Sequence, residues 1–407
     1  MYRTHETCLP AFREMCAKYD ISLTEESENF LLYTTADSFL RENAPDMTAK
    51  QRAEFGKELK WREIAAVREH GRLFDGIRDM LDDLAHDGIE MAICGMGSKD
   101  YIESVLERCG IDQYFKAVYH RVEGLTKAQV MKTMLSGMDI SPDQCFMVGD
   151  SVTDLTAARE NGIPFIGVNY GYGADGISDA DVLVGDVKQL RSEIYRFLIY
   201  THIDRGVSAI QKPVVIGING VDASGKTSLA LGLNAYLRHR GFPTVLLHAD
   251  DFHNPRAVRL ADNSPEGYIK YAFDVQKMYA VIQELKQGSI KLTVDLLDLD
   301  ADTFTNKKVF ETGRDTIIIV EGVLLFRPPL DGLFDYKVFI DVTFDEVLRR
   351  ARERDVPRYG EGILTKYVDR YIPAQKIYLN EHTPKENSQL VIDNNDFLKP
   401  MMIKPAP

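Results

Sequence analysis

The stretch GVDASGKT, Gly220 to Thr227, brings together the residue types that grip a phosphate chain. Its spacing is GxxxxGK[ST], with an apolar β-rich run before it and a helical pattern after it. Gly220 and Gly225 let the backbone N–H groups of Asp222, Ala223, Ser224 and their neighbours, on to Ser228, wrap phosphate oxygens. Lys226 adds a point charge, and Thr227 offers a hydroxyl to Mg²⁺. A glycine-rich turn of no function is the alternative, and strand, loop and helix standing in that order argue against it. Such a loop implies a nucleoside triphosphate and leaves open what is done with it.

Other charged residues stand where they can complete a reaction. In HADDFHNP, Asp250 and Asp251 fall at the carboxyl end of the next strand, the usual ligand side of such sheets. A carboxylate there can accept the proton of an attacking hydroxyl. The pair can equally be a turn initiator before Asn254-Pro255. TIIIVEG ends a buried strand in Glu321, suited to a Mg²⁺-bound water or to the metal itself. In TFDEVLRRARERD, Arg350 and Arg354 share one helix face, either as a solvated surface or as cations closing over a transferring phosphoryl group.

In the first half, FMVGDSVTDLTAAREN sets Asp150 and Asp154 where an apolar run meets a helix start. Like charges this close repel unless a cation or strong donors lie between them. Ser151-x-x-Asp154 is also a capping box, which explains the loop by helix stabilisation alone.

The elements that must position these groups alternate. Residues 12–72 read as helices with polar breaks. Strand-like runs follow at 89–94, 117–120, 145–149, 164–168 and 181–184, then at 214–218, 244–248, 316–320, 337–340 and 390–392, with helical patterns between them. This pattern predicts α/β architecture: two doubly wound domains, each on an open parallel sheet. The boundary is expected near 206, giving domains over 1–205 and 206–407, and only the tail KPMMIKPAP reads as loose. A net charge of -13 argues against nucleic-acid or anionic-membrane partners. The odd count of five cysteines without CxxC argues against a disulfide framework or zinc site. No apolar run approaches membrane-spanning length, the start MYRTHETC is no signal peptide, and a cytoplasmic location is expected. Homo-oligomerisation is left open.

GINGVDASGKTSLA, HADDFHNP, VEGVLLFRP, RRARERD and RYIPAQKIYL resemble, in this order, the uridine kinase-like P-loop small-molecule kinases. The resemblance covers essentially all of 210–400. It implies a P-loop kinase fold with ATP and Mg²⁺. Asp250 would be the general base, Glu321 the second metal acid, and Arg350 and Arg354 lid cations. Pyrimidine-specific members carry a tyrosine-aspartate pair and then a histidine. Here LTVDLLDLDADT keeps Asp295, has Val294 in place of the aromatic, and holds no histidine. Uracil should be discriminated poorly.

FMVGDSVTDLTAARENGIPFIGVNYGYG resembles the fourth motif of haloacid dehalogenase-like hydrolases, of the phosphoglycolate phosphatase-like branch, over about 1–200. GLTKAQVMKTML resembles the third motif, with Lys127 balancing phosphate, and MAICGMGSKDYIESVLERCG the second. In the second motif Gly95 takes the usual Ser/Thr place, with Ser98 as substitute. The resemblance implies a helical cap at 12–72 and a Mg²⁺ site at Asp150 and Asp154. The first motif, a DxD with the nucleophile, is missing, and with it a central strand between 89–94 and 145–149. Its loss would leave backbone groups unpaired, at roughly 1–3 kcal/mol for each buried group. The expectation is that the native chain carries that strand before Met1. The alternative is a degenerate domain whose gap another segment fills. As a whole the chain reads as an ATP-dependent kinase of a small-molecule hydroxyl, nucleoside-like or sugar-like, fused to a phosphatase domain that is inactive as it stands. The alternative is a nucleotide-switched binding protein.

Overall fold

The structure is a computed structural model that describes residues 1–24, 36–172, 176–288, 290–299 and 301–404. It divides into two compact units, Met1–Glu193 and Ile194–Pro407. The division falls inside the helix Val187–Ser208, before the expected 206, because the later turns of that helix pack in the second unit. There Phe197 meets Tyr236 edge-on at 5.5 Å between ring centres. Among the described residues no helix is long and apolar enough to cross a membrane.

In the first unit, strands β1 (Met91–Cys94) and β2 (Phe115–Tyr119) pair in parallel. Strands β3 (Met147–Gly149), β4 (Phe165–Val168) and β5 (Val182–Val184) form a second parallel sheet. The expectation was one open sheet. Among the described residues nothing pairs with the outer edges of β1 and β3, so the strands form two short sheets. This is the place where the sequence lacks an apolar strand. Helices His5–Lys18, Ala36–Asn43 and Ala49–His70 form their own core around Phe12, Met15, Phe39, Phe55 and Leu59. They cover the described part of the stretch read as a helical cap.

The second unit is built on a six-stranded sheet of order β13-β12-β11-β6-β10-β7. Strand β6 is Val214–Gly220 and β7 is Thr244–His248. Strands β8 (Ile290–Asp298) and β9 (Thr303–Thr312) form a separate antiparallel hairpin. Strands β10 (Ile317–Gly322), β11 (Tyr336–Asp341), β12 (Leu390–Asp393) and β13 (Met401–Lys404) complete the large sheet. Every residue of β6 and β10 is buried, which is why they read as unbroken apolar runs rather than alternating ones. The tail read as loose instead supplies β13, the one antiparallel edge strand. Because β10 inserts between β6 and β7, the chain reverses its winding there. The carboxyl ends of these strands open a crevice at that switch point.

A half-buried carboxylate, Glu63, stands apart from this chemistry in the first unit. Burial pushes Glu63 up to about 7, against the opposing effects of a hydrogen bond with Cys8 and the charge of Arg121. The Cys8 thiol itself is pushed up to about 12 by burial and the Glu63 charge, and its Sγ lies 3.3 Å from the Tyr101 hydroxyl. A folded value above the unfolded one means that the unfolded chain binds fewer protons between pH 4.5 and 7. The Glu63 contribution therefore weakens as pH rises through that window. Glu63→Gln should melt a few degrees above the wild type at pH 8 and converge with it near pH 4.5. Melting curves at the two pH values check this, and equal melting temperatures at pH 8 contradict it.

Candidate active site

Strand β6 ends in the loop Val221–Gly225, from which the helix Lys226–His239 starts. The turn requires left-handed backbone at Ala223 (φ +54°) and Gly225 (φ +96°). A Cβ at Gly225 would lie 2.6 Å from the Asn394 side-chain amide, and one at Gly220 2.6 Å from the Ile340 carbonyl. Those contacts exclude larger residues where the loop must hug its surroundings. Asn394 donates to the Ser224 carbonyl at 2.7 Å. Arg350 donates to the Ala223 carbonyl at 3.2 Å and to the carbonyls of Asn394 and Asn395. The same guanidinium pairs with Glu346 at 2.6 Å. Arg350 thus braces the loop from outside.

Inside the loop the donors are unsatisfied or weakly engaged. The Ser224 hydroxyl is buried without a partner. The Lys226 ammonium turns back on the Val221 carbonyl at 2.7 Å. Burial pulls this lysine down, against the charges of Asp222, Glu321 and Asp250. Such a set of donors fits a triphosphate, which would satisfy both groups. Thr227 donates to Glu321 at 3.0 Å. Glu321 is 4% exposed at the end of β10, in register with Ile218 of β6 and His248 of β7. That hydroxyl and carboxylate fit a Mg²⁺ ion, which characteristically takes one or two protein oxygens and completes its shell with phosphate and water. Among the described residues no cluster of three or more His, Cys, Asp or Glu forms a closed metal cage.

The two aspartates after β7 have different surroundings. Asp251 is held by Lys308 at 2.5 Å. Asp250 sits on the short turn Ala249–Phe252, and among the described residues its carboxylate makes no hydrogen bond or ion pair. It nonetheless acts electrostatically on Lys226, Asp222 and Tyr268. Arg354 is held by Asp355 through paired bonds of 2.8 and 2.9 Å, and its charge still reaches Asp222 and Lys226.

Several members of this site are not legible from the loop motif alone. Gln375 clamps Asp222, accepting its backbone N–H at 3.1 Å and donating to its carboxylate at 2.6 Å. It lies in RYIPAQKIYL, whose spacing gives no sign of its partner. His248 bonds Glu321 at 2.7 Å, which raises the imidazole above its ordinary value. Its position as the last residue of an apolar strand was the available signal.

In the first unit the capping arrangement is realised. Asp154 accepts from the Asp150 and Ser151 amides, each at 3.1 Å, and from the Ser151 hydroxyl at 2.7 Å. Its other oxygen takes the Lys127 ammonium. Asp150 accepts from the Tyr172 amide at 2.8 Å. Ser98 caps the helix Lys99–Cys109.

Comparison with known proteins agrees with this division. Residues 1–168 match the family model described as haloacid dehalogenase-like hydrolase, and residues 215–393 that of the phosphoribulokinase / uridine kinase family. Uridine-cytidine kinase A of Dictyostelium discoideum is 32% identical over 199 residues, 46% of this chain and 38% of that protein. A 5'-nucleotidase of Pseudomonas aeruginosa is 26% identical over 132 residues, 30% of this chain and 60% of that one. Uridine kinase of Lactiplantibacillus plantarum is 30% identical over 169 residues, 41% of this chain and 78% of that enzyme. With its phosphate loop, its Thr227–Glu321 pair and this extent of similarity, the chain belongs to the phosphoribulokinase / uridine kinase family.

Proposed function

We propose that the second unit transfers a phosphoryl group from ATP to a hydroxyl of a small metabolite, nucleoside-like or sugar-like. The observation that carries this reading is the unpaired carboxylate of Asp250 at the mouth of the phosphate loop. An acceptor hydroxyl placed against Asp250 can give up its proton as its oxygen attacks. Lys226 leaves the Val221 carbonyl for the phosphates, while the loop amides after Asp222, on to Ser228, hold them in line. Gln375 fixes Asp222, so the loop keeps its shape through the exchange. Arg350 braces the loop, and Arg354 on the same helix is the cation that closes toward the phosphoryl group. Thr227 and Glu321 would hold Mg²⁺, which neutralises charge on the phosphates when bound. The family membership and the named uridine kinases support a hydroxyl acceptor.

Incubated with ATP and Mg²⁺, the protein should release ADP only when an acceptor is added. Asp250→Asn should lower that rate by about 10²–10⁴ and leave the dissociation constant for a non-hydrolysable ATP analogue unchanged. Thr227→Ala should weaken the Mg²⁺ dependence. ATP binding without acceptor-dependent ADP release across a broad panel of hydroxyl compounds favours the alternative, a nucleotide-switched binding protein.

For the first unit, Met1–Glu193, we propose a phosphatase-like domain that lacks its nucleophile in this chain. Two observations support that reading: the separation of β1 from β3, and the full engagement of Asp154 by protein donors. Lys127 and Ser98 keep phosphate-facing positions in this proposal, and Asp150 with Asp154 the metal positions. The 407-residue chain should give no Mg²⁺-dependent hydrolysis of phosphate monoesters above background. Robust turnover abolished by Asp150→Asn, read as phosphate release, would overturn it.

A further inference from the structure

Arg327, in the second unit, carries a charge that the proposed reaction does not use. It follows β10 in VEGVLLFRP and is only 9% exposed. Its Nε donates to the Leu324 carbonyl at 3.1 Å, and Leu324 adopts a left-handed backbone (φ +59°) to present it. Among the described residues no carboxylate pairs with this guanidinium, and its two terminal nitrogens have no hydrogen-bond partner. Burial pulls the arginine below its ordinary value, with the hydroxyls of Tyr378 and Tyr268 in electrostatic reach. A buried charge without a counter-ion is strongly unfavourable, and such groups are retained where something pairs with them.

What lies around it points to the acceptor. Tyr268 packs in one apolar cluster with Val323, Leu324 and Tyr378, and its hydroxyl shares the field of Asp250. On the Tyr268 ring lies Arg370, 5.6 Å from its centre. Buried Nε groups of both Arg259 and Arg370 have no partner, and both arginines act on the Tyr371 hydroxyl. Arg259 lies 4.0 Å from Asp302, and Arg370 donates to the carbonyls of Arg259 and Asp262, so among the described residues the charge left without a carboxylate is that of Arg327. An uncharged nucleoside would leave that charge uncompensated. A small anion would satisfy it, with the planar fork of Arg327 suited to two oxygens at once.

We propose that Arg327 binds the acceptor, and that the acceptor is a small hydroxylated anion whose phosphate or carboxylate group pairs with this guanidinium while its hydroxyl faces Asp250. The proposal rests on the kinase reading above and names its substrate class.

The test is thermal melting of the full chain with Mg²⁺ and a saturating non-hydrolysable ATP analogue, so that the phosphate loop is already filled. The probes are D-ribose 5-phosphate and D-gluconate, which separate phosphate from carboxylate, with uridine and ribitol as neutral controls. At least one anion should raise the melting temperature, and the neutral compounds should not. Arg327→Met should abolish the shift, with binding weaker by on the order of 10²-fold. Arg327→Lys should restore part of it. The free Arg327→Met protein should melt no lower than the wild type, since it loses an uncompensated charge; if it does not fold, Arg327→Lys carries the comparison. No shift with either anion, or a shift unchanged in the variants, overturns the proposal. With ATP in place of the analogue, ADP release should follow the same preference. Efficient release with uridine that Arg327→Met leaves intact would sink this inference and keep the kinase. An Arg327-dependent shift without ADP release would do the opposite.

Discussion

Three carboxylates act on one buried ammonium, and the chemistry of the second unit follows from that imbalance. Asp222, Asp250 and Glu321 all lie within electrostatic reach of Lys226. Burial and the charge of Asp250 together push Asp222 above the usual carboxylate value. Excess negative charge in a poorly hydrated crevice is tolerated only when cations enter with the ligand or stand at its rim. In the proposed reaction Arg354 would be such a cation, and a divalent metal at Thr227 and Glu321 the other.

The sheet supplies the precision that such a balance needs. Glu321 pairs in register with both the phosphate-loop strand and the strand that delivers Asp250. A one-residue slip in a parallel strand would turn its side chain to the opposite face. The loop is also held from behind, by Asn394 at the end of β12 and by Arg350 from the next helix. Elements distant in sequence therefore fix one short turn. This explains why substitutions at Asn394 would disturb phosphate binding without touching a phosphate.

Legibility from sequence followed local constraint. The phosphate loop is contiguous, and its glycines answer to backbone geometry, so it could be read at once. Strands β6 and β10 were readable because burial on both faces leaves an unbroken apolar run. The hairpin β8–β9 was not, because β9 is largely exposed and TFTNKKVFET carries no apolar face. Gln375, His248 and Asn394 could not be found because their partners are far away in the chain. The resemblance singled out Asp250, but a physical reason, the pairing of Asp251 with Lys308 on the hairpin, was not legible in the sequence.

The two acidic loops of the chain show how much the surroundings of a carboxylate decide. Asp154 has a lysine, two amides and a hydroxyl, and its charge is fully answered within the protein. Asp250 has a comparable position at the end of a parallel strand and no answering donor. A carboxylate paired within its own fold, as Asp154 is, stabilises a helix start. In the proposed reaction, the one left unpaired beside the phosphate loop is free to face an incoming hydroxyl. Residue type is the same in both loops. The difference lies in which cations face them: Lys127 takes Asp154, whereas Lys308 takes Asp251 and, among the described residues, leaves Asp250 unpaired.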